Sequence, residues 1–359
     1  MKLLFIGDPH FQVGNLEIID LFVEQCLTHL KNEEVDICVI AGDILHTHER
    51  LHTTALNKAT AFIDSVRKIC KTYVLVGNHD YENNQQFQST KHWMNSLKEW
   101  SNVIIVDKSI ISREYNINLA FVPYVPPGRF IEALETIDGD FETLMLDISF
   151  STETKAKYKT NDEWKKADCI FAHQEFYGCK MGAIESTEGD KWDLNFPLVV
   201  SGHIHSEQKP QRNIFYPGSV IQHAFGESEN NGLLLITFFS DFPVREKVFK
   251  KIILDIPRMK TIHVAIEKFQ DMKIAPVPNE RLKIICKGSN EEFKALKKTK
   301  QYKDAIDKGV KIHFKFIDKK IANYQYNNHM LKKFPEILEE LLSKENNQIV
   351  TDLFREITQ

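Results

Sequence analysis

A chain of 359 residues, 42% apolar and 27% charged with a formal net charge of −4, holds one large domain or two and has ample material for a core. No apolar run reaches about 18 residues and the opening MKLLFIGDPH turns polar at once, so neither a membrane-spanning helix nor a secretory leader is expected. The six cysteines (Cys26, Cys38, Cys70, Cys169, Cys179 and Cys286) include no CxxC pair and read as reduced core thiols of an intracellular protein.

Along the chain, short apolar runs alternate with helical patterns. KLLFIG (2–7) leads to LEIIDLFVEQCLTHLKN (16–32), whose apolar residues recur every three or four positions. DICVIAG (36–42), the helical TTALNKATAFIDSVRKICK (53–71) and TYVLVG (72–77) repeat the alternation. NVIIVD (102–107), LAFVPY (119–124), CIFAH (169–173), LVVSGH (198–203), IFYPGS (214–219) and GLLLITFF (232–239) extend the series of runs. Runs rich in Val and Ile without polar alternation predict strands covered on both faces, and the strand–helix–strand order predicts a layered α/β domain over residues 1–240. The polar span 139–168 is expected to form a surface loop and a helix.

After about residue 245 the pattern changes. ERLKIICKG (280–288), a helical NEEFKALKKTKQYKDAIDKG (290–309) and VKIHFKFID (310–318) predict a small β-α-β module over 245–322. Residues 241–320 carry 21 Lys+Arg against 11 Asp+Glu, a net of +10, while residues 1–240 carry −12. Such segregation implies separate modules, the basic one facing either a polyanion or solvent. In the tail, 328–359, Pro335 opens a helix with Ile337, Leu338, Leu341 and Leu342 on one stripe, and Ile349, Val350, Leu353, Phe354 and Ile357 make a second. Two such stripes need an apolar partner, either the protein's own body or another chain.

The ends of the predicted strands carry the chemistry. The first is followed by Asp8 and His10, the second by Asp43 and His46, and the third by Asn78, His79 and Asp80. His173 closes the sixth run, and His203 and His205 follow the next. Ligands of open α/β sheets bind beyond the carboxyl ends of strands, so six of the fourteen histidines converge on one crevice with the aspartates and an asparagine. Gly77 is expected to let the backbone turn tightly so that Asn78 and His79 project there. Carboxylate, amide and imidazole donors without cysteine suit manganese, iron or zinc, and there are too many for one ion. Two ions bridged by a carboxylate is the arrangement that clamps an in-line phosphoryl displacement. His48, His52, His92 and His223 read as structural or solvent-facing, with a groove-lining role open to His52 and His223. Tyr124 either shapes the crevice or packs beneath it, and Trp93 and Trp100 read as packing residues.

The series Asp8-x-His10, Gly42-Asp43, Gly77-Asn78-His79-Asp80, His173 and Gly202-His203-x-His205 resembles the calcineurin-like metallophosphoesterase superfamily over roughly residues 1–240. Within it the chain most resembles SbcD-type DNA repair nuclease subunits and phage recombination endonuclease subunits. His46 after Asp43, YPGSVIQHAFGE (216–227) after the last histidine motif, and the basic β-α-β segment carry that finer likeness; DPHFQ departs from the more usual His-Leu-Gly ending of the first motif.

The resemblance implies a four-layer α-β-β-α core with a small C-terminal α+β capping domain and a helical tail. It implies two divalent ions per chain, Mn2+ first, with Mg2+, Fe2+ or Zn2+ as alternatives. Asp8, His10, Asp43 and His205 would hold one ion, and Asp43, Asn78, His173 and His203 the other. His79 would face the leaving group with Asp80 orienting its ring, and His46 would contact phosphate. The implied function is a DNA nuclease acting on ends or single/double-strand junctions. Its implied partner is an SbcC-type coiled-coil ATPase docked on the tail, in a heterotetramer built on a homodimer, in the cytoplasm or a phage host's cytoplasm. Lys294, Lys297, Lys298, Lys300 and Lys303 are the candidate phosphate contacts. The rival readings are a phosphodiesterase or phosphatase for nucleotides or phosphoproteins, and a DNA-end-binding scaffold with an idle site.

Overall fold

The computed structural model describes residues 1–48, 50–139, 162–239, 246–272, 274 and 279–316. Its first sheet contains β1 (Lys2–Ile6), β2 (Ile37–Ile40), β3 (Lys71–Leu75), β4 (Val103–Val106), β13 (Gly232–Phe238) and β14 (Lys247–Ile253) in the order β14-β13-β1-β2-β3-β4. The second contains β5 (Ile110–Glu114), β6 (Ile117–Val122), β7 (Cys169–His173), β10 (Val199–Gly202), β11 (Gln208–Gln211) and β12 (Ile214–Tyr216) in the order β11-β12-β10-β7-β6-β5. A small hairpin, β8 (Lys180–Met181) and β9 (Ile184–Glu185), stands apart. In the first sheet β1, β2, β3 and β4 run parallel to one another while β13 pairs antiparallel with both β1 and β14; in the second β12, β10, β7 and β6 run parallel and the edge strands β11 and β5 are antiparallel.

The layers follow from the two faces of each strand. Leu3 and Phe5 of β1 meet Leu119, Phe121 and Phe171 in the core between the sheets. Leu4 and Ile6 point the other way, onto Ile18, Ile19 and Phe22 of α1 (Leu16–Asn32) and Phe62 and Ile63 of α2 (Thr53–Arg67). On the second sheet, Ala120 and Val122 point away from the seam, onto Phe130, Ala133 and Leu134 of α3 (Phe130–Glu135), Trp164 and Trp192. Apolar residues at consecutive positions are what two covered faces require. The result is the four-layer α-β-β-α core. Across the seam Tyr73 stacks on Phe121 with ring centroids 3.9 Å apart, and each such buried side chain stabilises the fold by about 1.5–3 kcal/mol. All six cysteines are free and buried. Among the described residues no helix is long and apolar enough to cross a membrane.

The boundary between modules differs from the expected one. β14 pairs with β13 along its whole length, from Gly232 opposite Ile253 to Phe238 opposite Lys247, so the core sheet runs to Ile253 rather than ending at 240–245. KVFKKII gave no strand signal because it is a lysine-bearing edge strand, largely exposed. The module that follows is a parallel three-stranded sheet of β15 (Arg258–Ala265), β16 (Glu280–Gly288) and β17 (Lys311–Phe316), with β16 in the middle. A short α4 (Ile266–Phe269) follows β15. The expected single helical stretch splits into α5 (Asn290–Leu296) and α6 (Lys300–Asp307). Ser289 and Glu292 close a capping box on α5, and the Thr299 hydroxyl accepts from the Tyr302 N–H to cap α6, so each helix has its own start. Of the expected surface span 139–168, residues 140–161 lie outside the described residues, as does the tail 328–359. What is described ends in a turn, Glu163–Lys166, whose Trp164 is buried.

Candidate metal centre

The crevice lies beyond the carboxyl ends of β1, β2, β3, β7 and β10, and its backbone is bent to suit it. Asp8, His10, Asp43 and His203 have φ of 42°, 46°, 48° and 78°, four of the ten non-glycine residues in the left-handed region among the described residues. Each such conformation costs on the order of 1–3 kcal/mol and persists only where the surroundings over-determine it. Here they do: the His10 N–H donates to the Asp43 carbonyl (3.0 Å), the His203 N–H to Asp8 Oδ1 (2.8 Å) and the His79 N–H to Asp43 Oδ1 (2.8 Å).

Gly77 opens the expected turn, its carbonyl accepting the Asp80 N–H (3.2 Å), but its φ is not in the left-handed region, and what demands glycine there is close approach. A Cβ there would stand 2.2 Å from the Asp43 nitrogen and 2.3 Å from Asp43 Oδ1. Gly42, at φ 95°, does need its conformational freedom, and a Cβ would also press on Gly77 and His173.

The residues expected as metal ligands are brought together. His173 Nε2 lies 3.0 Å from Asn78 Oδ1 and 3.4 Å from Asp43 Oδ1, and His203 Nδ1 lies 3.0 Å from the same Asn78 oxygen. On the other side His10 Nε2 is 3.6 Å from Asp43 Oδ2 and 3.1 Å from His205 Nε2. Donor atoms of Asp8, His10 and Asp43 cluster within 4.8 Å of one another, as do those of Asp43, His173 and His203, so Asp43 belongs to both groups. The far ring nitrogens are anchored: His173 Nδ1 donates to the Ala41 carbonyl (2.6 Å), and His205 Nδ1 to Glu227 Oε1 (3.0 Å). Such partners fix which nitrogen is left for a cation.

Charge tells the same story. Burial pushes His203 down to about 3 and His223 to about 4, each helped by a neighbouring histidine, and holds His10 well below its usual value. These imidazoles keep their lone pairs at neutral pH. Burial also works against a charged His173, yet the Asp43 carboxylate outweighs it and raises His173 to about 9. Asp43 itself, despite burial, sits well below the carboxylate range beside His173, whereas burial lifts Asp8. Asp8 Oδ2 is buried without a hydrogen-bond partner, a state that costs several kcal/mol for a charged group unless a cation faces it. The donor set and this orphaned oxygen fit a divalent cation, whose binding would displace the His173 proton.

Other expectations need correction. Asp80 does not orient the His79 ring: its carboxylate accepts from the backbone N–H groups of Gly77, Ile44 and Leu45 and from Trp93 Nε1 (2.9 Å). It pins the Gly77–Asp80 turn to the Asp43 loop. The His79 ring is held instead by its Nδ1 on the His46 carbonyl (2.6 Å) and by His48 stacked at 4.7 Å. His46 Nδ1 lies 3.4 Å from His10 Nδ1. His223 is a member of the site, with its ring 4.6 Å from that of His10, its Nε2 on the Asp8 carbonyl, and its Nδ1 unpartnered. Glu227 and Glu175, the latter with Oε2 4.0 Å from His203 Nε2, were missed. The only sequence sign of Glu227 was its place in YPGSVIQHAFGE. His92 pairs with Asp107, His52 caps α2, and Tyr124 walls the crevice 5.9 Å from His203.

The helix lysines lie away from the crevice. α5 and α6 pack on the sheet face that carries Ile284, Cys286, Ile312 and Phe314. It is Lys283 and Lys311, on the other face, that stand over the Phe225 ring beside the site, at 5.8 and 5.4 Å.

A family model described as calcineurin-like phosphoesterase matches residues 1–207. "Putative phosphoesterase 244L" of Invertebrate iridescent virus 6 is 64% identical over 300 residues, 83% of this chain and 98% of that protein. "Putative phosphoesterase 078R" of Invertebrate iridescent virus 3 is 45% identical over 319 residues, 88% of this chain and 84% of that one.

Proposed function

The chain belongs to the calcineurin-like phosphoesterases, as the match over residues 1–207 and these relatives establish, and we propose that within that family it is a metal-dependent DNA nuclease. Two divalent ions, manganese first, would be held by Asp8, His10, Asp43 and His205 and by Asp43, Asn78, His173 and His203. The observation that carries the reading is the single Asp43 carboxylate within reach of both donor groups. When bound, paired ions polarise phosphoryl oxygens and make a nucleophile available at neutral pH.

The chain's own residues do the rest. With Nδ1 donating to the His46 carbonyl, the His79 ring carries its exchangeable proton site at Nε2, which would protonate the departing oxygen. His46 contributes an imidazole beside His10 for a phosphoryl oxygen, and the Asp80 carboxylate positions the loop that carries His79.

DNA is favoured by a cleft of about 490 Å3 between the core and the basic module, lined by His223 and Phe225 on one side and Arg281 and Lys311 on the other. A nucleotide phosphodiesterase is the second reading, supported by a cavity of about 550 Å3 in which Met181, Ile204 and Phe225 neighbour His203 and His205. Action with an SbcC-type ATPase, as half of a dimer-based heterotetramer, is part of the proposal and rests on the motif resemblance alone.

The test is incubation with linear duplex DNA, single-stranded DNA and cyclic or linear mononucleotides, with and without manganese. Metal-dependent DNA products support the nuclease. Turnover of mononucleotides with intact DNA overturns it.

A further inference from the structure

We propose that the open face of the C-terminal three-stranded sheet is the surface on which a nucleic-acid backbone lies as it enters the metal site. This deepens the nuclease reading and rests on it. Side chains alternate across a strand, and the helix-covered face takes Val264, Leu282, Ile284, Cys286, Ile312 and Phe314. The register therefore places Thr261, Lys283 and Lys311 in one row of the opposite face, His263, Ile285 and His313 in the next, and Ala265, Lys287 and Lys315 in the third. Met259 and Arg281 precede them.

Five of these eleven side chains are Lys or Arg and two are His, with no carboxylate among them. Arg281, Lys311 and Lys315 are exposed, and none of the five cations has an ion-pair partner among the described residues. On the other face, by contrast, Lys260 pairs with Glu280. A surface meant only for solvation mixes signs; one of a single sign repels itself and calls for a counter-charge.

Length and direction select the ligand. From Arg281 to Lys287 the strand advances about 20 Å, a length of helix axis over which each strand of duplex DNA carries about six phosphates. A mononucleotide or a phosphorylated side chain would engage one end of it only. The near end, Arg281 and Lys311, lines the cleft that contains His223, and Lys283 and Lys311 stand over the Phe225 ring. The far end, Lys287 and Lys315, points away along the strands. The basic row thus starts at the cleft that holds His223, whose ring lies 4.6 Å from that of His10, and leads outward.

The experiment measures binding of a labelled 20-base-pair duplex across a salt series, using the full chain with His79→Ala as background so that the DNA stays uncut. Replacing Lys283, Lys311 and Lys315 with Gln is expected to lower the slope of log affinity against log salt by about 2 to 3, since each phosphate contact contributes about 0.9. The pair Lys311→Gln and Lys315→Gln, both at exposed positions, gives a slope change of about 1.8 if the triple variant fails to fold. Replacing Lys294, Lys297 and Lys300, on the helical side, should leave the slope as it was. An unchanged slope in the sheet variants, or an equal fall in the helix variants, overturns the assignment, as does a slope that changes for heparin and not for DNA. The nuclease reading fails separately: a wild-type chain that never cuts DNA, while its salt slope depends on the sheet lysines, refutes catalysis and leaves this surface standing.

Discussion

Adding one methyl group at Gly77 should disable the site while leaving the fold. The Cβ of a Gly77→Ala variant would begin 2.2 Å from the Asp43 nitrogen and 2.3 Å from Asp43 Oδ1. Real Cβ atoms essentially never approach within 3.0 Å, so the two loops must separate by at least about 0.8 Å. Asp43 cannot yield alone: its Oδ1 accepts the His79 N–H, its carbonyl accepts the His10 N–H, and its φ of 48° is already strained. Overpacking of this kind costs about 1–3 kcal/mol, and in a chain of this length each kcal/mol lowers the melting temperature by at most about 2–4 °C. Misplacement of a catalytic group by about 1 Å costs about 100-fold in rate. The expected result is a modest thermal shift with about a 100-fold loss of hydrolysis of a small chromogenic phosphodiester, and reduced bound metal by elemental analysis. Gly14→Ala is the control, because nothing lies within 4 Å of its Cβ. Wild-type turnover and metal content in Gly77→Ala would refute the close-approach argument.

Under the proposed sharing of Asp43 by two ions, Asp43→Ala should lose both and elemental analysis should fall from two per chain towards zero; loss of one ion alone would show that Asp43 is not the bridge. His79→Ala should keep the metal and slow hydrolysis by about 10²–10⁴, and a fall in metal content would place His79 among the ligands instead. Chelation should lower the melting temperature, since ligand at about 100 times its dissociation constant adds about 2.7 kcal/mol to the folded state; identical melts with and without chelator would speak against a metal bound to the folded chain. Glu114 bridges the seam between the sheets, bonded to Lys71 Nζ, Tyr73 OH and Ser112 Oγ at 2.6 Å each. Burial pushes its carboxyl up, but these partners hold it below the usual value. Its stabilisation is present above the unfolded value of about 4.3 and is lost as pH falls through the lower folded one. Glu114→Gln should therefore destabilise by about 1–3 kcal/mol at pH 7 and converge with wild type in acid melts; a constant difference across pH would refute the charge-based origin.

How much was legible in the sequence depends on how local each signal is. Strands covered on both faces declare themselves as unbroken apolar runs, and LEIIDLFVEQCLTHLKN marks α1 to the residue, Leu16–Asn32. Strand-end chemistry is legible too, because each ligand follows its run directly. The half-exposed strands gave no such signal: QKPQ, KVFKKII and RMKTIHVA bury little of either face, so neither periodicity nor hydrophobicity marks them. Their absence moved the module boundary and hid β15.

Which residue types meet at the crevice follows from the amino-acid order alone, because strands and ligands succeed one another along one chain. What each does there depends on neighbours brought in by folding. That Gly77 opens a turn is legible locally, but that no side chain fits there follows only from Asp43 packed against it. Asp80 reads as a partner of its neighbour until Trp93 and the Ile44 amide claim it. The basic module shows the same division. Its lysine count is a property of the sequence, but which lysines face the site is set by strand register, which sends Lys283 and Lys311 to Phe225 and turns the helix-bearing face away. Register depends on pairing between segments distant along the chain, and a displacement of one residue would exchange the two faces.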